Sequence, residues 1–174
     1  MPRKWFYTYE ELMDDQRNDS PEFSCHEFGD GMLFLAHRKK TVGFTFLVNK
    51  ETEECLELMD RQGNLTSFSK EDIDFNSISD LEYTSPIYNL KVGYGIAVND
   101  FLNGTALFQW TYHVDDSQYG YIYDEANFKC VYGFINKHCQ IVVPFQRMTE
   151  KRLARLLRQQ ANNELPIKSN RANL

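Results

Sequence analysis

One compact group of side chains in this chain has the types and spacing for acid–base chemistry: His113, Asp115 and Asp116. Tyr112 flanks the group, which follows a strand-like pattern containing Trp110. An imidazole oriented by a carboxylate can act as a general base, so these residues are a candidate hydrolase site. A polar hairpin turn has the same composition and is the simpler interpretation. If the protein binds a ligand, we expect the site here, at the end of the aromatic strand.

Cysteine and histidine are adjacent at Cys25-His26 and again at His138-Cys139. A thiolate–imidazole pair would make a nucleophile, but neighbouring side chains on a strand point to opposite faces, so packing is the simpler role. The four cysteines have no CxxC spacing and no clustered partners for a metal. Phosphate-binding motifs are also missing from the sequence. We therefore predict no metal, no cofactor and no assigned catalytic residue.

The charge is distributed unevenly along the chain, whose formal net charge is -6. Residues 151–174 hold six Lys or Arg against one Glu, a net charge of +5, and the other 150 residues carry -11. An acidic body repels nucleic acid and attracts basic surfaces. The sequence thus predicts a protein partner with a basic surface and no direct nucleic-acid contact by the acidic body.

A polar, acidic segment over residues 69–85 interrupts the regular pattern. Lys70 is the only base there. Loops carry much of the binding function of proteins, although a surface loop without a role is the simpler interpretation. Its five carboxylates are the candidate partner-binding residues: Glu71, Asp72, Asp74, Asp80 and Glu82.

The first 21 residues predict an N-terminal helical segment. Thr8 and Glu11 have the spacing of a capping box, in which each side chain satisfies a free backbone N–H of the first helical turn. We expect a helix over about residues 8–17. The Asn-Asp-Ser-Pro stretch at 18–21 then ends it.

From residue 22 to 147 the hydrophobic pattern has a period of two, which is typical of half-buried strands. Connections of three to five residues separate the first segments, so consecutive strands should pair antiparallel as a meander. The segments with the clearest alternation are residues 23–28, 32–37, 41–48, 53–59, 88–98 and 106–114.

Residues 132–146 predict a hairpin: an aromatic-Gly strand beginning at Tyr132-Gly133, a polar turn, and a β-branched strand that stops at Pro144. Over residues 119–146 the chain resembles the bacterial WG-repeat family, in which an aromatic-Gly pair opens one strand and a Val/Ile-Pro step closes the next. Cys139 stands where the family's turn usually has glycine. The resemblance implies an architecture of β-hairpins and no particular chemistry.

The C-terminal part, residues 148–174, predicts a basic amphipathic helix from about residue 149 to 160, followed by a tail. We favour packing of its apolar stripe on the sheet with the arginines in solvent. Docking on a partner and lying on an anionic membrane are the other two interpretations. The stripe comprises Met148, Leu153, Leu156 and Leu157, and the polar side carries Lys151, Arg152, Arg155 and Arg158.

These patterns together predict a mainly β (α+β) protein: a curved antiparallel meander sheet or a partly closed barrel of about seven to nine strands, with a short helix at each terminus. Neither a membrane-spanning apolar run nor a signal sequence is recognisable, so we expect a cytoplasmic location. The leading hypothesis is a non-enzymatic acidic protein-interaction domain, of the kind found in bacterial immunity and inhibitor proteins. The alternatives are a small-molecule-binding β-barrel and a hydrolase that uses His113 with Asp115 and Asp116.

Overall fold

The computed structural model describes residues 7–38, 44–59, 68, 70–77, 95–113 and 128–167. Within these ranges lie two α-helices, eight strands and the short 3₁₀ turns Lys70–Asp72 and Phe75–Ser77. The helices are α1 (Tyr9–Gln16) and α2 (Glu150–Ala161). The strands are β1 (Phe23–Glu27), β2 (Met32–His37), β3 (Thr45–Asn49), β4 (Cys55–Met59), β5 (Gly95–Val98), β6 (Thr105–His113), β7 (Phe128–Asn136) and β8 (Ile141–Gln146).

The described strands form two four-stranded sheets, one with the order β1-β2-β3-β4 and the other with the order β5-β6-β7-β8. Every neighbouring pair is antiparallel, so each sheet is a meander. The predicted mainly β fold is confirmed, and the eight described strands fall within the expected number. No barrel closes among them, because each sheet keeps its own two outer strands. Of the strand expected over residues 88–98, only Gly95–Val98 lies within the described residues.

The inner faces of the two sheets pack against each other around an aromatic core. Leu47 of the first sheet and Phe108, Trp110 and Phe145 of the second are all fully buried there. The rings of Phe108 and Phe145 lie 4.3 Å apart, between centroids, at a tilt of 57°. Such contacts add about 0.5–1.5 kcal/mol beyond the area that they bury. The alternation seen in the sequence therefore directs the large aromatic residues between the sheets.

Helix α1 covers the outer face of the first sheet. Its only buried residue, Leu12, packs with Phe23, Phe46 and Val48. Phe46 and Leu47 are consecutive but belong to different clusters, so β3 is buried on both faces. Half of the predicted capping box is present, since the Glu11 N–H donates to the Thr8 hydroxyl at 3.2 Å. The Glu11 carboxylate instead accepts a hydrogen bond from the Thr8 hydroxyl, at 3.3 Å.

Helix α2 covers the outer face of the second sheet. Leu156 is buried against Leu107 and Phe134, and Leu153 and Leu157 pack around them. The Arg152 N–H donates to the hydroxyl of the N-cap residue Thr149 at 3.1 Å. The favoured interpretation of this helix, an apolar stripe on the sheet, is confirmed. The described elements thus form a four-layer stack in the order α1, first sheet, second sheet, α2.

The hairpin predicted over residues 132–146 is formed by β7 and β8, in which Tyr132 pairs with Gln146. A Cβ atom on Gly133 would lie 2.7 Å from the Val143 carbonyl oxygen, so the close approach of β8 requires glycine there. Cys139 has a φ of 60°, the left-handed conformation that favours glycine. This explains structurally why a glycine would suit that turn position.

Candidate protein-binding surfaces

The acidic segment singled out in the sequence does not present a free set of carboxylates. Asp72 is only 6% exposed. Asp74 is half-buried, and its carboxylate accepts a hydrogen bond from the Asn76 N–H at 3.2 Å. Its backbone N–H donates to the Phe145 carbonyl at 2.8 Å, which ties the segment to the edge of β8. Glu71 is the only exposed residue of the three that the structure describes, and Asp80 and Glu82 lie outside the described residues.

The candidate ligand site around Trp110 divides into a core residue and residues at the end of β6. Trp110 is fully buried, and its ring centroid lies 6.2 Å from that of Phe145. It is therefore a core residue with no surface for a ligand to contact. Tyr112 and His113 end β6, with their backbones opposite Lys129 and Phe128 of β7. The predicted partners Asp115 and Asp116 lie outside the described residues, so the acid–base group stays a prediction.

Charge is instead concentrated in the layer formed by α1 and the first sheet. Residues 7–38 and 44–59 contain twelve Asp or Glu and three Lys or Arg, a net charge of -9. On α1, Glu10, Glu11 and Asp14 project away from buried Leu12. Asp19 and Glu22 continue this exposed group after the helix. We call the five carboxylates the acidic face: Glu10, Glu11, Asp14, Asp19 and Glu22.

The acidic face stands on a helix that is fixed to the sheet by its own side chains. The Asp15 carboxylate accepts hydrogen bonds from the N–H groups of Glu22 and Phe23, at 2.9 and 3.0 Å. The Gln16 side-chain amide donates to the Phe23 carbonyl at 2.8 Å. These bonds occupy the outer backbone groups at the start of β1, an edge strand. Because buried and edge-capping groups fix α1, the backbone that carries the exposed carboxylates is held in place before any partner arrives.

Other carboxylates on this layer are engaged in ion pairs. Glu27 lies 2.6 Å from Lys50 Nζ, and the hydrogen bond and charge of Lys50 lower the pKa of the Glu27 carboxyl. Glu54 lies 2.9 Å from His138 Nδ1, and this hydrogen bond is the main cause of a lowered pKa of the Glu54 carboxyl. The second pair crosses from the β3–β4 turn to the β7–β8 turn. Two members of the acidic face are also paired, since Asp14 lies 2.8 Å from Arg17 and Glu22 lies 3.8 Å from His37. Glu10, Glu11 and Asp19 have no ionic partner among the described residues.

Helix α2 presents the opposite charge. Lys151, Arg152, Arg155 and Arg158 are all exposed, and they line a shallow concavity of about 410 Å³. Among the described residues, none of these four cations is within 4.0 Å of a carboxylate oxygen. We call them the basic face. Residues 128–167 as a whole contain seven Lys or Arg and two Glu, a net charge of +5.

A groove of about 450 Å³ opens between β1–β2 and β5, the outer strand of the second sheet. Its apolar lining includes Phe28, Phe34, Ile96 and Val98. Burial and the nearby charge of Glu27 raise the pKa of the Cys25 thiol at its rim. The groove could not be found in the sequence, because the residues from β5 lie about sixty positions after those from β2.

The adjacent cysteine and histidine at the groove are not arranged as a catalytic pair. The His26 ring packs on Phe28, with centroids 4.6 Å apart, and makes no hydrogen bond to Cys25 within the described part of the chain. In the same part, no three His, Cys, Asp or Glu side chains are grouped as metal ligands. The described helices are also too short or too polar to cross a membrane.

No protein-family model matches this chain, and it has no significant match among curated proteins or solved structures. The resemblance of residues 119–146 to the WG-repeat family therefore stays a prediction. The function has to be argued from the charge, packing and shape of this molecule alone.

Proposed function

We propose that this protein is a non-enzymatic interaction domain whose acidic face binds a basic surface of another protein. The observation that carries the proposal is the charge of the α1 and first-sheet layer, -9 over the described residues 7–38 and 44–59. Clustered charge of one sign raises the rate at which an oppositely charged partner is captured. A basic protein is the partner that such a layer would attract most strongly.

The acidic face is better suited to this role than the segment at residues 69–85. Its carboxylates are exposed, whereas Asp72 is buried and Asp74 bonds to its own segment. Asp15 and Gln16 fix α1 to β1, so binding would immobilise little additional backbone. Groups that are already ordered lose less conformational entropy when a complex forms. This argues that the helix, rather than the loop, makes the first contact.

The biological setting that we propose is the neutralisation of a basic protein in the bacterial cytoplasm, as an immunity protein or an inhibitor of a nucleic-acid enzyme would do. A surface that binds nucleic acid is itself basic, and an acidic domain can cover it. In this proposal the WG-like hairpin of β7 and β8 belongs to the scaffold and makes no contact with the partner.

Affinity capture from the native host, quantified by mass spectrometry, tests the proposal. The wild type and two charge-reversed variants, E10K/E11K/D14K and R152E/R155E/R158E, serve as baits. We expect one basic protein to be enriched by the wild type and by the α2 variant, and to be lost from the α1 variant. Equal recovery by all three baits would contradict a role for the acidic face.

A second candidate function is binding of a small apolar molecule in the groove, rather than in a barrel interior. The interior between the sheets is filled by side chains such as Trp110 and Phe108. The groove, at about 450 Å³, is within the range of about 300–1,000 Å³ typical of ligand sites. Native mass spectrometry of freshly purified protein should then show the mass of a bound molecule. Ala36→Phe fills the groove and should abolish this binding, whereas Ala154→Phe, at an exposed position on α2, should leave it unchanged. A bare polypeptide mass for the wild type would exclude this candidate.

A further inference from the structure

Three cations of the basic face form a stripe on the side of α2 that points away from the sheet, and Arg152 lies beside this stripe. At 3.6 residues per turn, Lys151, Arg155 and Arg158 fall within an arc of about 60°. The buried side chains Leu156 and Gln160 lie on the opposite half of the helix. From Lys151 to Arg158 the stripe extends about 10 Å along the helix axis. The stripe is thus a continuous positive surface on a fixed helix.

These four cations have no ionic partner among the described residues, although the chain has an excess of acids. The described ion pairs include Arg17 with Asp14, Lys50 with Glu27 and Lys137 with Asp30, at 2.8, 2.6 and 3.6 Å. No carboxylate of the described residues reaches the basic face, although the chain has 25 Asp and Glu. An anionic surface of about the same length would complement it.

The acidic face has the required charge and size, but the fold prevents the two faces from meeting within one molecule. Leu12 of α1 packs on one outer face of the stack and Leu156 of α2 on the other. Two sheets, about 10 Å apart in such packings, lie between the helices. Contact between the acidic and basic faces therefore requires two molecules.

We propose that the basic face of one copy docks on the acidic face of a second copy, head to tail. The contact sets Lys151, Arg152, Arg155 and Arg158 against Glu10, Glu11 and the residues that follow α1. Such a contact uses two different surfaces, so a pair of copies keeps one free face of each sign and assembly continues into a ring or a chain. Exposed ion pairs contribute little each, so the association is weak and depends on ionic strength.

Two other anionic partners fit the basic face less well. A membrane-bound helix inserts its apolar side into the lipid, but the leucines of α2 are already packed on the second sheet. A nucleic acid long enough to pass the helix also meets a molecule of net charge -6. A second copy can present its acidic face to the basic face while its own basic face is directed away, because the two faces lie on opposite sides of the stack.

Sedimentation equilibrium at two ionic strengths tests this proposal. At about 0.01 M salt, where the Debye length is about 30 Å, the weight-average mass should rise with protein concentration to at least twice 20.5 kDa. At about 1 M salt, where the Debye length is about 3 Å, it should return to 20.5 kDa. A mass of 20.5 kDa at low salt and the highest attainable concentration would overturn the proposal.

Complementary charge reversal then identifies the faces. The variants R152E/R155E/R158E and E10K/E11K/D14K should each remain monomeric at low salt, and an equimolar mixture of the two should associate again. Association that persists in either variant alone, or a mixture that stays monomeric, refutes the pairing. If a reversed variant unfolds, the same test can be made with the neutral variants R152Q/R155Q/R158Q and E10Q/E11Q/D14N. Each neutral variant alone must also be monomeric at low salt. A wild type that binds a single-stranded oligonucleotide through α2 without self-association would likewise overturn the proposal.

Discussion

The Asn103 side-chain amide donates hydrogen bonds of 3.0 Å to the backbone carbonyl of Gln160 and of 3.0 Å to that of Ala161. Asn103 lies in the turn between β5 and β6, whereas Gln160 is in the last turn of α2. Gln160 in turn donates from its buried side chain to the Thr105 carbonyl at 2.9 Å. The end of the basic helix is therefore bonded in both directions to the second sheet. This connection keeps the stripe of cations at a fixed position on the molecule.

Asn103→Asp should weaken this connection. The substitution removes both amide donors and places a negative charge beside free carbonyls at the C-terminus of α2, where negative charge is unfavourable. We expect the free energy of unfolding to fall by about 1–2 kcal/mol, measured by urea denaturation. Asn99→Asp introduces the same charge at an exposed position nearby and should change the free energy of unfolding by less than about 0.5 kcal/mol. Equal stability of the two variants would show that the hydrogen bonds donated by the Asn103 side chain contribute nothing to the free energy of unfolding.

Gly133→Ala should destabilise the β7–β8 hairpin. The added methyl group would lie 2.7 Å from the Val143 carbonyl oxygen and 3.2 Å from the Phe145 nitrogen, so the backbone of β8 has to move. Overpacking of this kind costs about 1–3 kcal/mol, which should appear as a lower urea midpoint. Gly29→Ala is the matched control, since its nearest contact would be 4.0 Å away, at the Phe101 carbonyl oxygen. A Gly133→Ala variant as stable as the control would contradict this packing.

Stability should decrease in acid because of two ion-paired carboxyls. The pKa values of Glu27 and Glu54 are lowered from 4.5 in the folded protein by the hydrogen bonds from Lys50 and His138. The two ionised carboxyls therefore stabilise the fold fully above pH 4.5, which is their ordinary pKa. This stabilisation is lost as the pH falls through their lowered pKa values in the folded protein. Urea denaturation at a series of pH values should show a smaller acid dependence in Glu27→Gln/Glu54→Gln than in the wild type. Glu10→Gln, at an exposed position that makes no ion pair with any described residue, is the control. An unchanged slope in the double variant would refute the assignment.

The cysteines should differ in their reactivity towards iodoacetamide. Burial raises the pKa values of Cys55 and Cys139 to about 12, so almost no thiolate is present at neutral pH. Cys25 is exposed, although burial and the charge of Glu27 raise the pKa of its thiol as well. Peptide mapping after brief labelling should therefore find Cys25 modified well before Cys139. Labelling of both at equal rates in the folded protein would mean that the β7–β8 turn opens readily.

Several elements could be predicted from the sequence because local rules determine them. The Thr8 hydroxyl accepts from the Glu11 N–H at the start of α1, and this bond needs no residue from elsewhere in the chain. Alternation along β6 sends Phe108 and Trp110 to one side and Leu107 to the other, as the separate core clusters confirm. The leucine stripe of α2 packs as its period of 3.6 indicates.

The position of the acidic binding surface could not be predicted in this way, because burial of a carboxylate depends on distant contacts. Asp72 is adjacent to Ile73, which pairs with Phe145 at the edge of β8, more than seventy positions away. That pairing holds the segment against the second sheet. The burial of Trp110 could not be predicted for the same reason. The alternation along β6 indicates that its side chain points inward, but not that a second sheet covers it. The groove likewise exists only after β1, β2 and β5 are brought together.

The central claim, that the acidic face captures a basic protein, is tested most directly by the association rate of the captured partner as a function of salt. Steered association slows as the salt concentration rises, so the wild type should bind fastest at low salt. We predict that E10K/E11K/D14K lowers the low-salt association rate by at least about tenfold and removes most of its salt dependence. Glu71→Lys, a charge reversal at an exposed position outside the acidic face, should have a much smaller effect. An association rate for E10K/E11K/D14K that equals the wild-type rate at low salt would contradict the account.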